Sequence, residues 1–295
     1  PVIAVELSPI RAWCLAQNAR MVRDSFPIRA VCADAARLPI HPNRMIFHLD
    51  PARRSAGRRH HAYANLIPGP DVIDRLLNQF SGGILKLSPG VDFSDLPPGH
   101  LELISEGGAA VQAVLWTGSL AFARHDLRTV TILPATDDAA GDVESSYSLT
   151  ARPMPEPPAV PPLDYLYETD PALHRAGLAP ALAAALDCSP VNDDAGYLTS
   201  TRKINHPALR SFAVRLTVPW SESRVTNALV KQASAAPPLA APVEVKTRGR
   251  LGLDTDKLQK KWSRLAGGLA VLIYAAHGKR HATIATRIAP EQTAS

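Results

Sequence analysis

Residues 47–59 read FHLDPARRSAGRR, and this stretch decides how the rest of the chain is interpreted. A short apolar run over 45–49 ends at Asp50 and Pro51, and four arginines follow before residue 60. The run is typical of a buried strand, and Pro51 cannot continue a hydrogen-bond ladder because it lacks an amide proton. The sequence therefore predicts a strand that ends in a carboxylate and leads into a basic loop.

Two earlier strands end in the same way. A β-branched run over 2–5 is followed by Glu6, and a second run over 28–31 is followed by Asp34 and Ala35. In open α/β sheets, ligands bind at the carboxyl ends of the strands. A carboxylate at Glu6 can accept two hydrogen bonds from vicinal ribose hydroxyls, and Asp34 can accept one from an adenine amino group. Ordinary turn and cap residues would give the same pattern.

The rest of the first half continues the alternation of strands and helices. Helices are predicted over 10–22 and 71–80, the first of them capped by Ser8 and carrying Trp13 in the core. This alternation favours a mostly parallel sheet, and so an α/β fold class, with an antiparallel edge near the end of the half. The further strands predicted are 83–87, 101–105, 111–116 and 129–133.

A proline-rich segment divides the chain into two parts of different charge. Six of the ten residues over 153–162 are proline, which favours an extended linker, and we place that linker at 138–162. Residues 1–162 carry 15 basic and 16 acidic side chains, a net charge of −1, whereas residues 163–295 carry 17 and 11, a net charge of +6. The sequence therefore predicts a near-neutral domain over 1–137 and a smaller, basic α+β domain over 163–295.

The composition excludes several classes of protein. The three cysteines, Cys14, Cys32 and Cys188, have neither a zinc-binding spacing nor the even count of a disulfide framework. The longest apolar run, over 266–276, is about half of what a membrane helix needs. Glu6 interrupts the first apolar segment, which argues against a signal peptide. We therefore expect a cytoplasmic protein that binds neither a metal nor a membrane.

A second group of basic residues lies near the end of the chain. Residues 246–281 hold nine basic and two acidic side chains, and four of the basic ones recur at the spacing of one helix face. Such a face can follow an RNA backbone, although a solvated helix with Trp262 in the core would give the same pattern. The arginines after Asp50 likewise allow phosphate contacts, a clamp on an anionic substrate, or a solvated loop. The candidate RNA-binding residues are Arg53, Arg54, Lys246, Arg248, Lys257, Lys260, Lys261 and Arg264.

The acidic strand ends together resemble a known family. Glu6, Asp34-Ala35 and Asp50-Pro51 resemble the successive acidic landmarks of Rossmann-like S-adenosylmethionine-dependent methyltransferases. Residues 50–53 are similar to the Asp-Pro-Pro-Arg motif of methyltransferases that act on nucleic acids. The wider sequence resembles the bacterial members that carry a C-terminal THUMP-like domain, in the segments 49–59, 84–92, 103–108, 165–171, 196–200 and 246–249.

This resemblance implies a fold, a cofactor and a set of roles. The fold would be a Rossmann-like methyltransferase sheet followed by a smaller α+β THUMP-like domain, and the cofactor would be S-adenosylmethionine. The catalytic residues would be Asp50 and Pro51, which would hold a substrate nitrogen in line with the methyl group. The substrate implied is an RNA, such as tRNA or rRNA, methylated at a base nitrogen. The cofactor-binding residues implied are Glu6 at the ribose, Leu7 beside the adenine, and Asp34 with Ala35 at the adenine amino edge.

Two departures from the family pattern and the absence of one cysteine narrow the interpretation of the chain as an RNA methyltransferase. Ala52 and Arg53 stand where the family has a second proline or an aromatic residue, so this motif supplies no ring for stacking on a base. Residues 84–95 contain no cysteine, which disfavours methylation at pyrimidine C5. The family also has a first strand and a Gly-rich turn where nothing precedes Pro1. We therefore expect a sheet without that strand, and weak binding of the cofactor.

Two other functions stay open on the sequence alone. A non-catalytic RNA-binding protein built on a methyltransferase scaffold would use the same basic residues without needing the cofactor turn. A methyltransferase acting on a small molecule or a protein would not require the basic domain over 163–295 for its activity.

Overall fold

The computed structural model describes residues 2–22, 27–38, 42, 44–52, 54–55, 58–59, 62–134, 146–194, 196–234, 241–249 and 251–289. The chain divides into two compact units, a first unit of 1–100 with 114–125 and a second unit of 101–113 with 126–295. The division predicted from the sequence, with domains over 1–137 and 163–295, stays a prediction. Within the described ranges no helix is long and apolar enough to cross a membrane.

The first unit alternates strands and helices, as the sequence predicts. Strands β7 (His100–Glu106) and β8 (Ala109–Gly118) lie partly in each unit and are joined by a turn at Gly107 and Gly108, both with positive φ. The elements up to this point are β1 (Val2–Glu6), α1 (Pro9–Met21), β2 (Ile28–Cys32), β3 (Ile46–Leu49), β4 (Arg54–Ser55), β5 (Arg58–Arg59), α2 (Pro70–Gln79), β6 (Gly82–Leu87), β7 (His100–Glu106) and β8 (Ala109–Gly118).

Strands β1 and β2 form a parallel pair of their own. Glu6 stands opposite Cys32 in the register, so the two strands end at the same edge. Among the described strands neither β1 nor β2 pairs with a member of another sheet.

Helix α1 corrects two details of the sequence interpretation. Ser8 occupies the N-cap position, but its side chain makes no capping hydrogen bond, and its amide donates instead to Glu6. Trp13 was predicted to lie in the core, yet it is 64% exposed, and the buried residues of this helix are Ala12 and Ala19. The start signal at Ser8 identified the helix correctly but could not identify the face that packs.

A six-stranded mixed sheet has the order β10-β9-β7-β8-β6-β3, in which β9 is Arg128–Leu133 and β10 is Tyr147–Ala151. Strand β3 runs parallel to β6, β7 runs parallel to β9, and β10 is antiparallel to β9. The α/β fold class is thereby confirmed. Strand β10 lies inside the predicted linker, where proline content concealed a strand that pairs with β9 over its whole length.

The second unit continues with a seven-stranded sheet in the order β12-β13-β11-β14-β17-β16-β15. The sequence patterns do not predict β11, β13 or α3, because each of these elements is short and lies between prolines and turn residues. The elements are β11 (Tyr165–Thr169), α3 (Pro171–Ala176), α4 (Ala179–Leu186), β12 (Ser189–Pro190), β13 (Tyr197–Ser200), β14 (Leu209–Pro219), α5 (Glu222–Ser234), β15 (Glu244–Thr247), α6 (Thr255–Trp262), β16 (Ala270–Ala276) and β17 (Lys279–Arg287).

The seven-stranded sheet is buried on both faces. Alternate residues of β16 serve different cores, since Val271 and Ile273 pack with residues of α5 and α6 while Leu272 packs on the other face. Trp262 of α6 is fully buried in the first of these cores, and its indole nitrogen donates to Thr226 of α5 at 3.0 Å. The prediction of Trp262 as a core residue is confirmed.

The sheet also curls. The Nζ atom of Lys246 on β15 lies 3.1 Å from Oε2 of Glu168 on β11, although three strands stand between β11 and β15 in the sheet order. With neighbouring strands about 4.8 Å apart, a flat sheet would separate these residues by about 19 Å. The contact therefore requires the edge carrying β15 to bend round toward β11, in the direction of a partly closed barrel.

We expect Trp262→Ala to lower the free energy of unfolding by about 3–5 kcal/mol, because it removes a fully buried ring and leaves a cavity between α5 and α6. Urea unfolding followed by circular dichroism measures this loss. Lys260→Ala, on the exposed face of the same helix, serves as the control and should stay within about 0.5 kcal/mol. Equal effects of the two changes would contradict the assignment of α6 to the core.

Candidate cofactor and nucleic-acid sites

The predicted cofactor residues lie together at the carboxyl edge of β1 and β2. Glu6 ends β1, and Leu7 follows it with 67% of its surface exposed. Asp34 follows β2 and caps a short 3-10 turn that begins at Ala35. The backbone joins the two ends, since the Ala33 amide donates to the Glu6 carbonyl at 3.1 Å. The parallel register of the two strands therefore places both carboxylates at one edge.

Local hydrogen bonds orient both carboxylates. The Ser8 amide donates to Glu6 Oε1 and the Ala36 amide donates to Asp34 Oδ1, each at 2.8 Å. Arg75 of α2 donates from Nη1 to the Ala36 carbonyl at 2.6 Å, which ties the loop after β2 to the helix before β6. Each of these backbone contacts occupies one of the two carboxylate oxygens, so the arrangement can accept further hydrogen bonds from hydroxyl or amino groups.

Asp50 and Pro51 lie at the end of β3, which belongs to the six-stranded sheet. Asp50 Oδ2 is 3.1 Å from Nζ of Lys86 on the neighbouring strand β6, and both side chains are substantially exposed. Pro51 is buried, and Ala52 exchanges two backbone hydrogen bonds with Ile67, of 2.7 and 3.0 Å. The motif is therefore held on one side by an ion pair and on the other by a backbone bridge.

Tyr63 is buried within the loop that this bridge closes. Burial, with a smaller effect of the Asp74 carboxylate, raises the pKa of Tyr63 to about 12. Its hydroxyl has no hydrogen-bond partner among the described residues. The phenol therefore stays neutral and acts as packing beneath the loop.

Of the arginines that follow Asp50, Arg53 lies outside the described residues. The backbone of Arg54 belongs to β4, which forms an antiparallel hairpin with β5. The basic loop predicted here is thus a short hairpin followed by a 3-10 turn over Tyr63–Asn65.

The structure separates the other predicted RNA-binding residues into two groups. Val245 packs in the same core as α6, and its amide donates to Gln259 of that helix at 3.1 Å. Because neighbouring residues of a strand point to opposite faces, Lys246 faces away from α6, toward Glu168. Lys257, Lys260, Lys261 and Arg264 are exposed on or just after α6.

One exposed lysine of α6 already has a partner. The Nζ atom of Lys261 lies 2.5 Å from Oε1 of Glu222, at the start of α5. Its charge is therefore partly compensated.

Glu168 is the centre of an ion cluster that the sequence analysis did not identify. Its Oε2 lies 3.3 Å from Arg210 Nη1 and 3.1 Å from Lys246 Nζ, and its Oε1 lies 3.2 Å from Arg248 Nη2. Arg248 Nη2 also donates to the Thr169 carbonyl at 2.8 Å. The signal available in the sequence was a single carboxylate within the apolar run over 165–169.

A cavity of about 790 Å³ opens beside this cluster, wholly within the second unit. Four segments that carried the family resemblance contact it or pack against its wall. Gly107 and Gly108 line it from the turn after β7, Glu168 to Pro171 from the end of β11 onward, and Lys246 with Arg248 from β15 and the residue that follows it. Gly196 packs against it, because a Cβ there would come within 2.9 Å of Arg248 Cδ.

Burial controls the ionisation of two rings near the cavity. It lowers the pKa of His206, which lines the cavity and packs edge-to-face on Tyr147. It raises the pKa of Tyr197, whose ring lies 5.8 Å from the guanidinium carbon of Arg248. Both rings are therefore neutral near pH 7.

A buried hydrogen bond joins two of the resembling segments. Ser105 of β7 donates from its hydroxyl to Asp170 Oδ2 at 2.7 Å, and both residues are buried. The other oxygen of Asp170 accepts from the Ala172 amide at 2.8 Å and caps α3. These hydrogen bonds hold Asp170, which lines the cavity, in place. Among the described residues no three His, Cys, Asp or Glu side chains gather as a metal site.

The fold is shared with a crystal structure from Porphyromonas gingivalis W83 that is named as a candidate methyltransferase. The alignment has a TM-score of 0.72 and 19% identity, and it covers 97% of this chain and 71% of the other. An identity this low shows a common fold alone. No protein-family model matches the chain.

Two relatives from Mycobacterium tuberculosis, one from strain CDC 1551 / Oshkosh and one from strain ATCC 25618 / H37Rv, are each named an uncharacterized S-adenosylmethionine-dependent methyltransferase. Each is 30% identical over 264 residues, which span 86% of this chain and 67% of the relative. These matches confirm the predicted class of enzyme and its cofactor. The chain belongs to the family of S-adenosylmethionine-dependent methyltransferases.

Proposed function

We propose that the protein transfers a methyl group from S-adenosylmethionine to a base nitrogen of an RNA, and that residues 163–295, as a THUMP-like domain, hold that RNA. The observation that carries the RNA assignment is the net charge of +6 on 163–295, beside a net charge of −1 on 1–162. A polyanion is attracted by such an excess, whereas a small neutral substrate gains nothing from it.

The carboxylates at the edge of β1 and β2 fit the nucleoside end of the cofactor. Glu6 would accept hydrogen bonds from the ribose hydroxyls, and Asp34 would accept from the adenine amino group. Leu7 and Ala35 supply small apolar surfaces beside the ring, and Leu7 is exposed enough to meet it. Residues 1–56 contain no glycine, so the Gly-rich turn that the resemblance associates with the methionine part has no counterpart among them.

Asp50 and the Pro51 carbonyl would hold the substrate nitrogen. The bound cofactor supplies a methyl group already activated by its sulfonium, so positioning matters more than acid–base strength. Because Asp50 Oδ2 pairs with Lys86, Oδ1 is left to accept a hydrogen bond from the substrate amine. This hydrogen bond aims the lone pair of the amine nitrogen at the methyl group. As the nitrogen–carbon bond forms and the sulfur–carbon bond breaks, the amine proton passes to this carboxylate or to water. Lys86 thus acts as a positioning residue.

We expect Asp34→Asn and Glu6→Gln each to weaken S-adenosylmethionine binding about tenfold, because each replaces a charged acceptor by a neutral amide. Equilibrium dialysis with the radiolabelled cofactor compares each variant with the unaltered chain. Asp71→Asn, an exposed change on α2, is the matched control and should leave binding unchanged. Unchanged binding in both site variants would contradict the assignment of this edge to the cofactor.

We expect Asp50→Asn to slow methyl transfer to RNA at least about 100-fold, since the amide loses the charge that aligns the amine and accepts its proton. Transfer of tritiated methyl groups to bulk RNA measures the rate. The exposed pair with Lys86 contributes at most about 1 kcal/mol to stability, so the variant should fold and retain the cofactor. RNA binding without any transfer by the unaltered protein would favour the non-catalytic alternative.

We expect Lys257→Glu combined with Lys260→Glu to weaken binding of tRNA or rRNA about tenfold or more, because two exposed cations of α6 become anions. Lys261 is left intact because Glu222 already compensates it. Filter binding over a range of salt concentrations measures the effect, which should shrink as salt rises. The same double reversal leaving tRNA and rRNA affinity unaltered would remove α6 from the RNA surface.

A further inference from the structure

The cavity of the second unit has the size and the wall of a ligand site. Its volume of about 790 Å³ lies within the range of pockets that hold small molecules or single nucleotides. Its wall combines charged side chains of β11, β14 and β15 with apolar surface from Leu133, Ile204 and Pro207. A site with apolar walls and a few convergent polar groups is suited to a ligand that has both a charged and a planar part.

Cations outnumber carboxylates around the cavity. Five basic side chains line it, against the two carboxylates of Glu168 and Asp170. Asp170 accepts hydrogen bonds from the Ser105 hydroxyl and the Ala172 amide, so of these two carboxylates Glu168 is the one that contacts the cations. The basic side chains that line the cavity are Lys203, Arg210, Lys246, Arg248 and Arg287.

Glu168 cannot compensate all the charge that it contacts. Its single negative charge is shared by Arg210, Lys246 and Arg248, and Glu244 adds one further contact, to Lys246 at 3.3 Å. The buried Nε–H of Arg248 has no acceptor among the described residues. A phosphate oxygen would supply the missing charge and would accept hydrogen bonds from the exposed parts of these cations.

Arg210 is held close to the turn at Gly108, and the exposed part of its side chain is what a ligand can reach. Gly108 has a φ of 81°, and a Cβ there would come within 3.3 Å of Arg210 Nη2. Arg210 is also the most accessible cation of the Glu168 cluster, with 38% of its side chain exposed. The neutral ring of His206 and the apolar residues of the wall offer a surface on which a base can pack.

From this arrangement we infer that the cavity binds one nucleotide of single-stranded RNA, with its phosphate on Arg210 and the neighbouring Lys246 and Arg248, and its base against His206. Glu168 is then an internal counter-ion that holds the cations in place while the cavity is empty and shares them with the phosphate when it is filled. The inference rests on the RNA-binding part of the proposed function and on none of its cofactor chemistry.

Fluorescence anisotropy with a labelled octamer of uridine tests the site in the full chain, without cofactor. We expect Arg210→Ala to weaken binding about tenfold and to flatten the dependence of log affinity on log salt by about 0.7, the value of one phosphate contact in single strands. Arg224→Ala removes the same charge from exposed α5 and should change affinity less than about twofold. Equal losses in both variants, or no loss at Arg210, would overturn the inference.

A second variant separates a ligand site from a structural ion cluster. Glu168→Gln removes the competing carboxylate, so it should raise affinity for the octamer about threefold or more if the cavity takes a phosphate. A well-folded Glu168→Gln protein with unchanged or lower affinity would contradict the inference. If that variant does not fold, Arg210→Lys serves instead, and it should recover part of the affinity that Arg210→Ala loses, because the charge returns without the planar fork.

Competition identifies the ligand. Uridine monophosphate should displace the octamer at a lower concentration than inorganic phosphate does, since it fills both the charged and the apolar wall. Equal potency of the two competitors would reduce the site to a simple anion site and overturn the nucleotide assignment. Failure of methyl transfer with these binding results intact would refute the proposed catalysis and leave the cavity assignment standing.

Discussion

The contact of Glu168 with three cations is the interaction on which the second unit depends. It joins β11 to β15 across three intervening strands and so holds a seven-stranded sheet in a curled form. Curling gives the sheet an inner face, and Tyr197, Phe212 and Tyr274 pack there as part of one core. Ion pairs that are mostly buried cost desolvation energy, and here Glu168 recovers part of that cost by contacting all three cations at once.

A second constraint acts in the first unit, where parallel pairing puts the ends of strands at a common edge. Glu6 and Asp34 are brought together because β1 and β2 run side by side in register. Asp50 meets Lys86 for the same reason, since β3 and β6 are parallel and end within a few residues of each other. Neither arrangement needs a long-range contact between side chains. The backbone ladder alone decides which polar groups meet.

This difference explains how much of the molecule could be predicted. The acidic strand ends were predictable, because a strand followed by a carboxylate is a local pattern and the edge follows from the α/β class. The Glu168 cluster was not predictable, because Arg210 and Lys246 are distant from Glu168 in sequence. Arg210 meets Glu168 only because β14 pairs with β11, and Lys246 meets it only because the sheet curls. The helix-start signal at Ser8 located α1 and the spacing of the basic residues located α6, but only the three-dimensional packing showed that Trp13 is exposed while Trp262 is buried.

The linker shows the opposite limitation of local reasoning. Proline content favours an extended chain over 138–162, and the residues after β10 are indeed irregular. Yet Tyr147–Ala151 pairs with β9, because a strand at the edge of a sheet needs hydrogen bonds on one side only and the prolines begin after it. Composition averaged over a window cannot register a five-residue strand within it.

The alternation along β15 limits which insertions and deletions this strand can tolerate. Val245 belongs to the core shared with α6, while Lys246 faces the ion cluster one residue later. A single-residue insertion or deletion in this strand would send the lysine into the apolar core and the valine into the cavity, with a loss on both faces at once. The length of β15 is therefore fixed more tightly than its composition, and the wall of the cavity can change by substitution but not by sliding the strand.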